Sequence, residues 1–173
     1  MAADDEFVQF AEAASPRLRR TAFLLCGDWH TAQDLTQTTL AKVFVAWRRI
    51  NRRDAVNAYA MRTLLNSYLA DSRRRRPSEV LAGELPDRPV ESPAPDLRLA
   101  VLQALAALPP GGRAVVVLRY WADMSVEQTA ALLGCSTGNV KSQSARALDK
   151  LRVLLADAAG EPEVRRPEEI GHG

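Results

Sequence analysis

The sequence predicts an all-α protein: two small helical domains joined by a flexible linker. Three observations carry that expectation. Apolar residues recur at three- and four-residue spacing, and no segment shows sustained two-residue alternation, so no sheet is expected. Five of the ten prolines (Pro77, Pro86, Pro89, Pro93 and Pro95) fall within 77–95, a composition that cannot bury enough surface to offset ordering. Charge is also segregated: residues 1–76 carry 13 basic and 8 acidic side chains, 77–95 carry 1 and 4, 96–155 carry 7 and 4, and 156–173 carry 2 and 5. Two basic blocks, an acidic connector and an acidic tail suit two modules that meet a polyanion, although the net charge of +2 over 173 residues is ordinary for a soluble domain. The expected organisation is a first domain over 1–76, a linker over 77–95, a second domain over 96–157 and a disordered tail over 158–173.

In the first block Ser15-Pro16 reads as a helix start, a cap residue followed by proline in the first turn, and Gly27 as its stop. Thr31 followed three residues later by Asp34 resembles a capping box. It opens a second helix with Leu40, Val43, Phe44, Trp47 and Ile50 at helical spacing. Asp54 caps a third helix reaching about residue 75. Met61, Leu64, Leu65 and Tyr68 share one side of it, and Tyr59, Arg62, Asn66 and Arg73 share the other.

The second block opens with a helix over 96–108, stopped by Pro109-Pro110. A helix over about 112–121 follows, then a capping-box start at Ser125-Val126-Glu127-Gln128 and a short helix ending at Gly134. Cys135-Ser136 leads into a last helix reaching about residue 155. A helix of about eight residues, a turn containing glycine and a longer second helix are the signature of a helix-turn-helix.

In that last helix Val140, Ser144, Ala147, Leu151 and Leu154 face the core, while Asn139, Ser142, Gln143 and Arg146 lie opposite with Lys141 at the edge. A reading helix needs short polar or basic residues where it enters the major groove: Arg engages guanine, Gln or Asn engages adenine, and Ser or Lys holds phosphate. A solvated face is the competing reading. No acid precedes Asp149 on this helix, which favours DNA contact. The third helix raises the same choice, and its end, Arg73-Arg74-Arg75-Arg76, is a dense phosphate-binding stretch. Tyr and Trp near basic residues suit stacking of unpaired bases. Phe44, Trp47 and Tyr68 are more simply core.

Other function classes find little support. Cys26 and Cys135 cannot form a disulfide scaffold, and a reducing compartment is expected. No apolar run is long enough for a membrane span, and the acidic start lacks the pattern of a signal peptide, so a cytoplasmic soluble protein with no membrane partner is expected. His30 reads as a helix-start residue and His172 falls in the tail. No Cys/His set has zinc spacing and no phosphate-cradling glycine loop occurs, so no catalytic residue, metal or cofactor is expected. A two-domain regulator with an N-terminal sensor is the rival reading, against which the four arginines closing the first block argue.

The motifs together resemble a known family. Leu118-Arg119-Tyr120-Trp121, Ser125-Val126-Glu127-Gln128-Thr129-Ala130, Leu133-Gly134-Cys135-Ser136, Val140-Lys141-Ser142-Gln143, Arg146-Ala147-Leu148 and Leu151-Arg152 resemble sigma region 4. Ala32-Gln33-Asp34-Leu35-Thr36-Gln37-Thr38 and Val45-Ala46-Trp47-Arg48 resemble region 2.2, and Tyr59 through Arg62, Asn66 and the four arginines resemble regions 2.3 and 2.4. The chain is thus similar to the extracytoplasmic-function (ECF, group 4) RNA polymerase sigma factors, in the actinobacterial SigE-like branch. Gly138-Asn139 stands where relatives usually carry Gly-Thr, and Pro110-Gly111-Gly112 is a looser helix start than the family pattern.

The resemblance implies a factor without chemistry of its own. It binds core RNA polymerase, at the β′ clamp helices and the β flap, and directs initiation at promoter DNA. Asp34, Gln37 and Arg48 match the polymerase-contact surface; an acid such as Asp34 also suits a first helical turn. Asn51, Arg53, Tyr59, Arg62, Asn66 and Arg73 would take the −10 element, with one base flipped from the stack. Asn139, Lys141, Ser142, Gln143 and Arg146 would take the −35 element. Few aromatics on the −10 face imply limited melting power. Two modules on a flexible tether also leave room for an anti-sigma factor as a partner.

Overall fold

The computed structural model describes residues 2–50, 53–74 and 95–160, and among these it is helical throughout, with no strand. The first lobe holds α1 (Ala2–Cys26), α2 (Trp29–Ala46), a 3-10 turn (Trp47–Arg49) and α3 (Arg53–Arg74). The second holds α4 (Pro95–Ala106), α5 (Pro110–Val116), a wide π-type turn (Val117–Trp121), α6 (Val126–Leu133) and α7 (Thr137–Ala159). Of the expected linker only Pro95, which opens α4, is described; residues 77–94 and the tail beyond 160 lie outside the described residues.

Ser15-Pro16 does not start a helix. α1 begins at Ala2 and runs through Pro16. Proline removes one backbone donor there, and the Ser15 hydroxyl donates back to the carbonyl of Ala11 at 2.5 Å. Packing on both sides carries the helix across. Before the proline, Phe7 and Phe10 meet Trp47 with ring centroids 5.3 and 5.4 Å away, and after it Leu18, Ala22 and Leu25 enter the core. Gly27 ends α1 with φ of +73°, and the next residue already caps α2. Asp28 accepts from the Thr31 N–H at 2.7 Å and from its hydroxyl at 2.8 Å. The expected cap at Thr31 is therefore wrong: with a one-residue turn, Thr31 falls inside the first turn, and Asp34 lies beyond the reach of the helix-end dipole.

In α3, Met61, Leu64, Leu65 and Tyr68 are buried, as the spacing predicts. Lys42 on α2 donates to the Ser67 hydroxyl of α3 at 3.0 Å, tying the two helices. Phe44, expected in the core, is 49% exposed; it keeps only an edge contact with Phe7, at 4.9 Å between centroids.

α5 starts two residues earlier than expected, with Pro110 where a missing N–H costs nothing. The chain then widens, the Ala122 N–H reaching the Val117 carbonyl at 3.0 Å. Ser125 and Gln128 form the full reciprocal capping box, and Gly134 closes α6 in the left-handed region at φ +65°. Ser136 caps α7 by accepting from the Asn139 N–H at 3.1 Å. α7 continues to Ala159, past the expected end near 155, until Gly160 supplies a left-handed stop.

The two lobes are in contact. Ala114, Val117, Leu118 and Leu132 of the second share one hydrophobic core with Leu18, Phe23, Leu25, Leu64 and Tyr68 of the first. Smaller clusters around Leu105, Leu108, Val116 and Ala147, and around Val115, Ala130 and Val140, hold the second lobe itself.

Candidate nucleic-acid and polymerase interface

α6, the Gly134 turn and α7 form the helix-turn-helix. Val140 (fully buried), Ser144 and Ala147 anchor α7 inward. Asn139, Lys141, Ser142 and Arg146 are exposed on its other side, and Gln143 is half-buried. The Gln143 amide donates to Asn139 Oδ1 at 2.7 Å, and a Cβ placed at Gly111 would lie 3.0 Å from Gln143 Oε1. Of the loose Pro110-Gly111-Gly112 start, only Gly111 is thus tightly hemmed; a Cβ at Gly112 would make ordinary contact with the Ala147 methyl at 3.6 Å. Arg146 Nε donates to the Ser142 carbonyl at 3.4 Å, a weak tether that leaves the guanidinium head free to reach outward.

On α3, Tyr59, Arg62, Asn66 and Arg73 are all exposed on one face. Tyr59 is the one aromatic ring among them. Arg62 is engaged rather than free: its Nη2 donates 2.8 Å to the Ala131 carbonyl on α6 of the other lobe. Asn51 lies outside the described residues; Arg53 opens α3, and its side chain is outside them.

On α2, Asp34 and Gln37 are exposed, and Arg48 follows in the 3-10 turn, also exposed. Between them the helix presents Ala41 and Val45, the latter 81% exposed. Val45, named in the sequence only as part of the Val45-Ala46-Trp47-Arg48 motif, shares the helical phase of Asp34, Gln37 and Ala41. A shallow groove between α1 and α2, lined by Glu12, Arg19, Gln33 and Gln37 among others, borders this stripe.

No chemistry-bearing cluster accompanies these faces. Among the described residues no group of His, Cys, Asp and Glu could hold a metal, and no helix is long and apolar enough to cross a membrane. Burial pushes the Cys26 thiol up, away from the thiolate, and it donates to the Ala22 carbonyl at 2.8 Å. Cys135 is half-buried in the α6–α7 turn. His30 is the second residue of α2 and exposed.

The comparisons agree with this anatomy. The sigma-70 region 2 family matches residues 10–77 and the sigma-70 region 4 family matches residues 98–151. The chain is 38% identical to the RNA polymerase sigma-E factor of Streptomyces coelicolor over 152 residues, 87% of this chain and 86% of that one. It is 32% identical to the ECF RNA polymerase sigma factor EcfG of Rhodopseudomonas palustris, over 83% and 81% of the two chains. Its fold is similar to that of the sigma factor RpoE of Bartonella quintana, solved with the anti-sigma factor NepR, at a TM-score of 0.72, 24% identity and coverage of 93% and 99%. The chain belongs to the extracytoplasmic-function branch of the sigma-70 family, RNA polymerase sigma factors that direct transcription initiation and catalyse no reaction of their own.

Proposed function

We propose that residues 1–76 act as region 2 and residues 96–157 as region 4, spaced by 77–95, in a factor working in the cytoplasm. Asp34, Gln37 and Arg48, with the outward Val45 between them, meet the clamp helices of the β′ subunit. Tyr59, Arg62, Asn66 and Arg73, with Asn51 and Arg53 at the approach to α3, take the unpaired −10 strand. Asn139, Lys141, Ser142, Gln143 and Arg146 take the −35 element in the major groove, while the β flap holds the second lobe, where Tyr120 and Trp121 are more than half exposed. An anti-sigma factor is a further partner, as for the relative solved with NepR.

One observation carries this reading: α7 is capped tightly by Ser136, buries Val140, Ser144 and Ala147, and turns an acid-free polar face outward at its N-terminal half. Strand capture at −10 needs no enzymatic step. Binding the separated strand more tightly than the duplex shifts the opening equilibrium by that difference in affinity.

Arg146→Ala, assayed with core RNA polymerase on a library of −35 variants, tests it. The expected result is a loss of about 1–3 kcal/mol confined to one base position, with relaxed preference there. An equal loss on every sequence would reduce Arg146 to a phosphate contact.

A further inference from the structure

The side chains that α7 turns outward differ in hydrogen-bond polarity. Lys141 and Arg146 can only donate, and the Ser142 hydroxyl can donate or accept. Asn139 carries both a carbonyl oxygen and an NH2, and a neighbour decides which of the two faces outward. Gln143, one turn further along, donates Nε2 to Asn139 Oδ1 at 2.7 Å. That bond engages the Asn139 acceptor and leaves its NH2 as the exposed group. We infer that Gln143 is a positioning residue that sets the polarity of Asn139, and that Asn139, so oriented, selects a guanine in the −35 element.

This selection rests on the proposed −35 reading of α7 and names the base within it. The Gln143 amide is held one way round by its surroundings. Its side chain is half-buried against the start of α5, where a Cβ at Gly111 would stand 3.0 Å from Oε1 and 3.9 Å from Cδ. Pro110 is the first residue of α5, so the Gly111 N–H that follows has no partner inside the helix. An oxygen suits that place; an NH2 would set its hydrogens against a donor. With Oε1 on the α5 side, Nε2 is left for Asn139. The Asn139 backbone is fixed too, its N–H donating to Ser136 Oγ at 3.1 Å in the first turn of α7.

The base follows from the edge that an outward NH2 can meet. In the major groove guanine offers two acceptors, N7 and O6. Adenine sets one acceptor beside a donor, thymine offers O4 beside a methyl group, and cytosine offers only a donor. Asn139 is thus matched by guanine and opposed by cytosine. No carboxylate precedes Asp149 on α7 to draw a donor base instead.

Selection of −35 sequences by core RNA polymerase carrying the full-length chain tests the inference, read as the ratio of guanine to cytosine at the position that Asn139→Ala flattens. Wild type should favour guanine there by about tenfold or more. In Gln143→Glu the carboxylate only accepts, so Asn139 must turn its NH2 toward it and Oδ1 toward the groove. The preference should swing to cytosine, a change in the ratio of about tenfold or more. The added charge weakens binding to every sequence alike and leaves the ratio untouched. Gln143→Met fills the same space without orienting the amide, and should flatten the position. Asn139→Asp exposes an acceptor directly and should give the same swing; it decides the matter if circular dichroism shows that Gln143→Glu is unfolded. A wild-type preference for any base but guanine, or guanine retained in Gln143→Glu, would overturn the inference. Arg146→Ala reports separately on the −35 reading: if it relaxes its own position while Gln143→Glu changes nothing, that reading stands and the polarity of Asn139 falls. If no variant of α7 alters any −35 position, both fall.

Discussion

Gln143 and Asn139 are joined on the outer face of α7, the Gln143 amide donating to Asn139 Oδ1 over 2.7 Å. The bond fixes both amides: Gln143 keeps Oε1 as a free acceptor and Asn139 keeps its NH2 as a free donor. Asn139→Ala and Gln143→Ala should therefore weaken preference at the same −35 position, each by about 1–3 kcal/mol, and the double variant should lose little more than either single one. Selection of −35 sequences by each variant with core polymerase measures this. Gly111→Ala should displace Gln143 Oε1, lowering the same preference while leaving the melting temperature within about 2–4 °C of wild type.

Much of this was readable from residue types. Ser125–Gln128, Gly134 and the Val140, Ser144, Ala147 stripe are local signals, each complete within one or two turns, and each appears where the spacing puts it. The misses are of another kind. Ser15-Pro16 looks like a start because proline usually breaks a helix, and only packing on both sides, of Phe7 and Phe10 with Trp47 before it and of Leu18, Ala22 and Leu25 in the core after it, carries α1 through it. Thr31 looks like a cap until the one-residue turn after Gly27 hands that role to Asp28. Arg113 and Arg62 act across more than sixty residues of chain, a relationship no local pattern encodes.

Asp28 gives the fold a defined acid sensitivity. Bonds from the Thr31 backbone and hydroxyl hold its carboxyl below the usual carboxylate range, with partial burial acting weakly the other way. A carboxyl whose folded pKa is depressed stabilises the fold above its unfolded value, near pH 4, and loses that contribution as pH falls through the folded one. Asp28→Ala should cost about 1 kcal/mol near neutrality. That gap should hold down to about pH 4 and narrow below it. Urea melts of both proteins across pH 2.5–7, a range set by the reference carboxylate values of roughly 4, check the sign; a gap that widens in acid would contradict it.

Val45 separates docking from folding. At 81% exposure it supports no core, so Val45→Asp should leave the unfolding free energy from urea melts within about 0.5 kcal/mol of wild type. On core polymerase the same change should raise the dissociation constant by about tenfold or more, since a charge placed in a desolvated apolar contact is left unpaired. Paired denaturation and polymerase-binding titrations give both numbers.

Tyr59 is the single ring among the described residues assigned to the −10 strand, which limits stacking on unpaired bases. Weak promoters should therefore gain strongly from templates opened in advance around −10, while strong promoters gain little. Open-complex yields on matched duplex and bubble templates measure the relief; no relief on weak promoters would show that melting is not the limiting step.

Genome-wide mapping of transcript starts made in vitro by core RNA polymerase with and without the purified chain tests the central assignment most directly. The expected result is a new set of starts sharing one −35 and one −10 sequence at fixed spacing, with Arg146→Ala relaxing one −35 position and Arg62→Ala altering the −10. Starts identical with and without the chain, or added starts that share no upstream sequence, would contradict it.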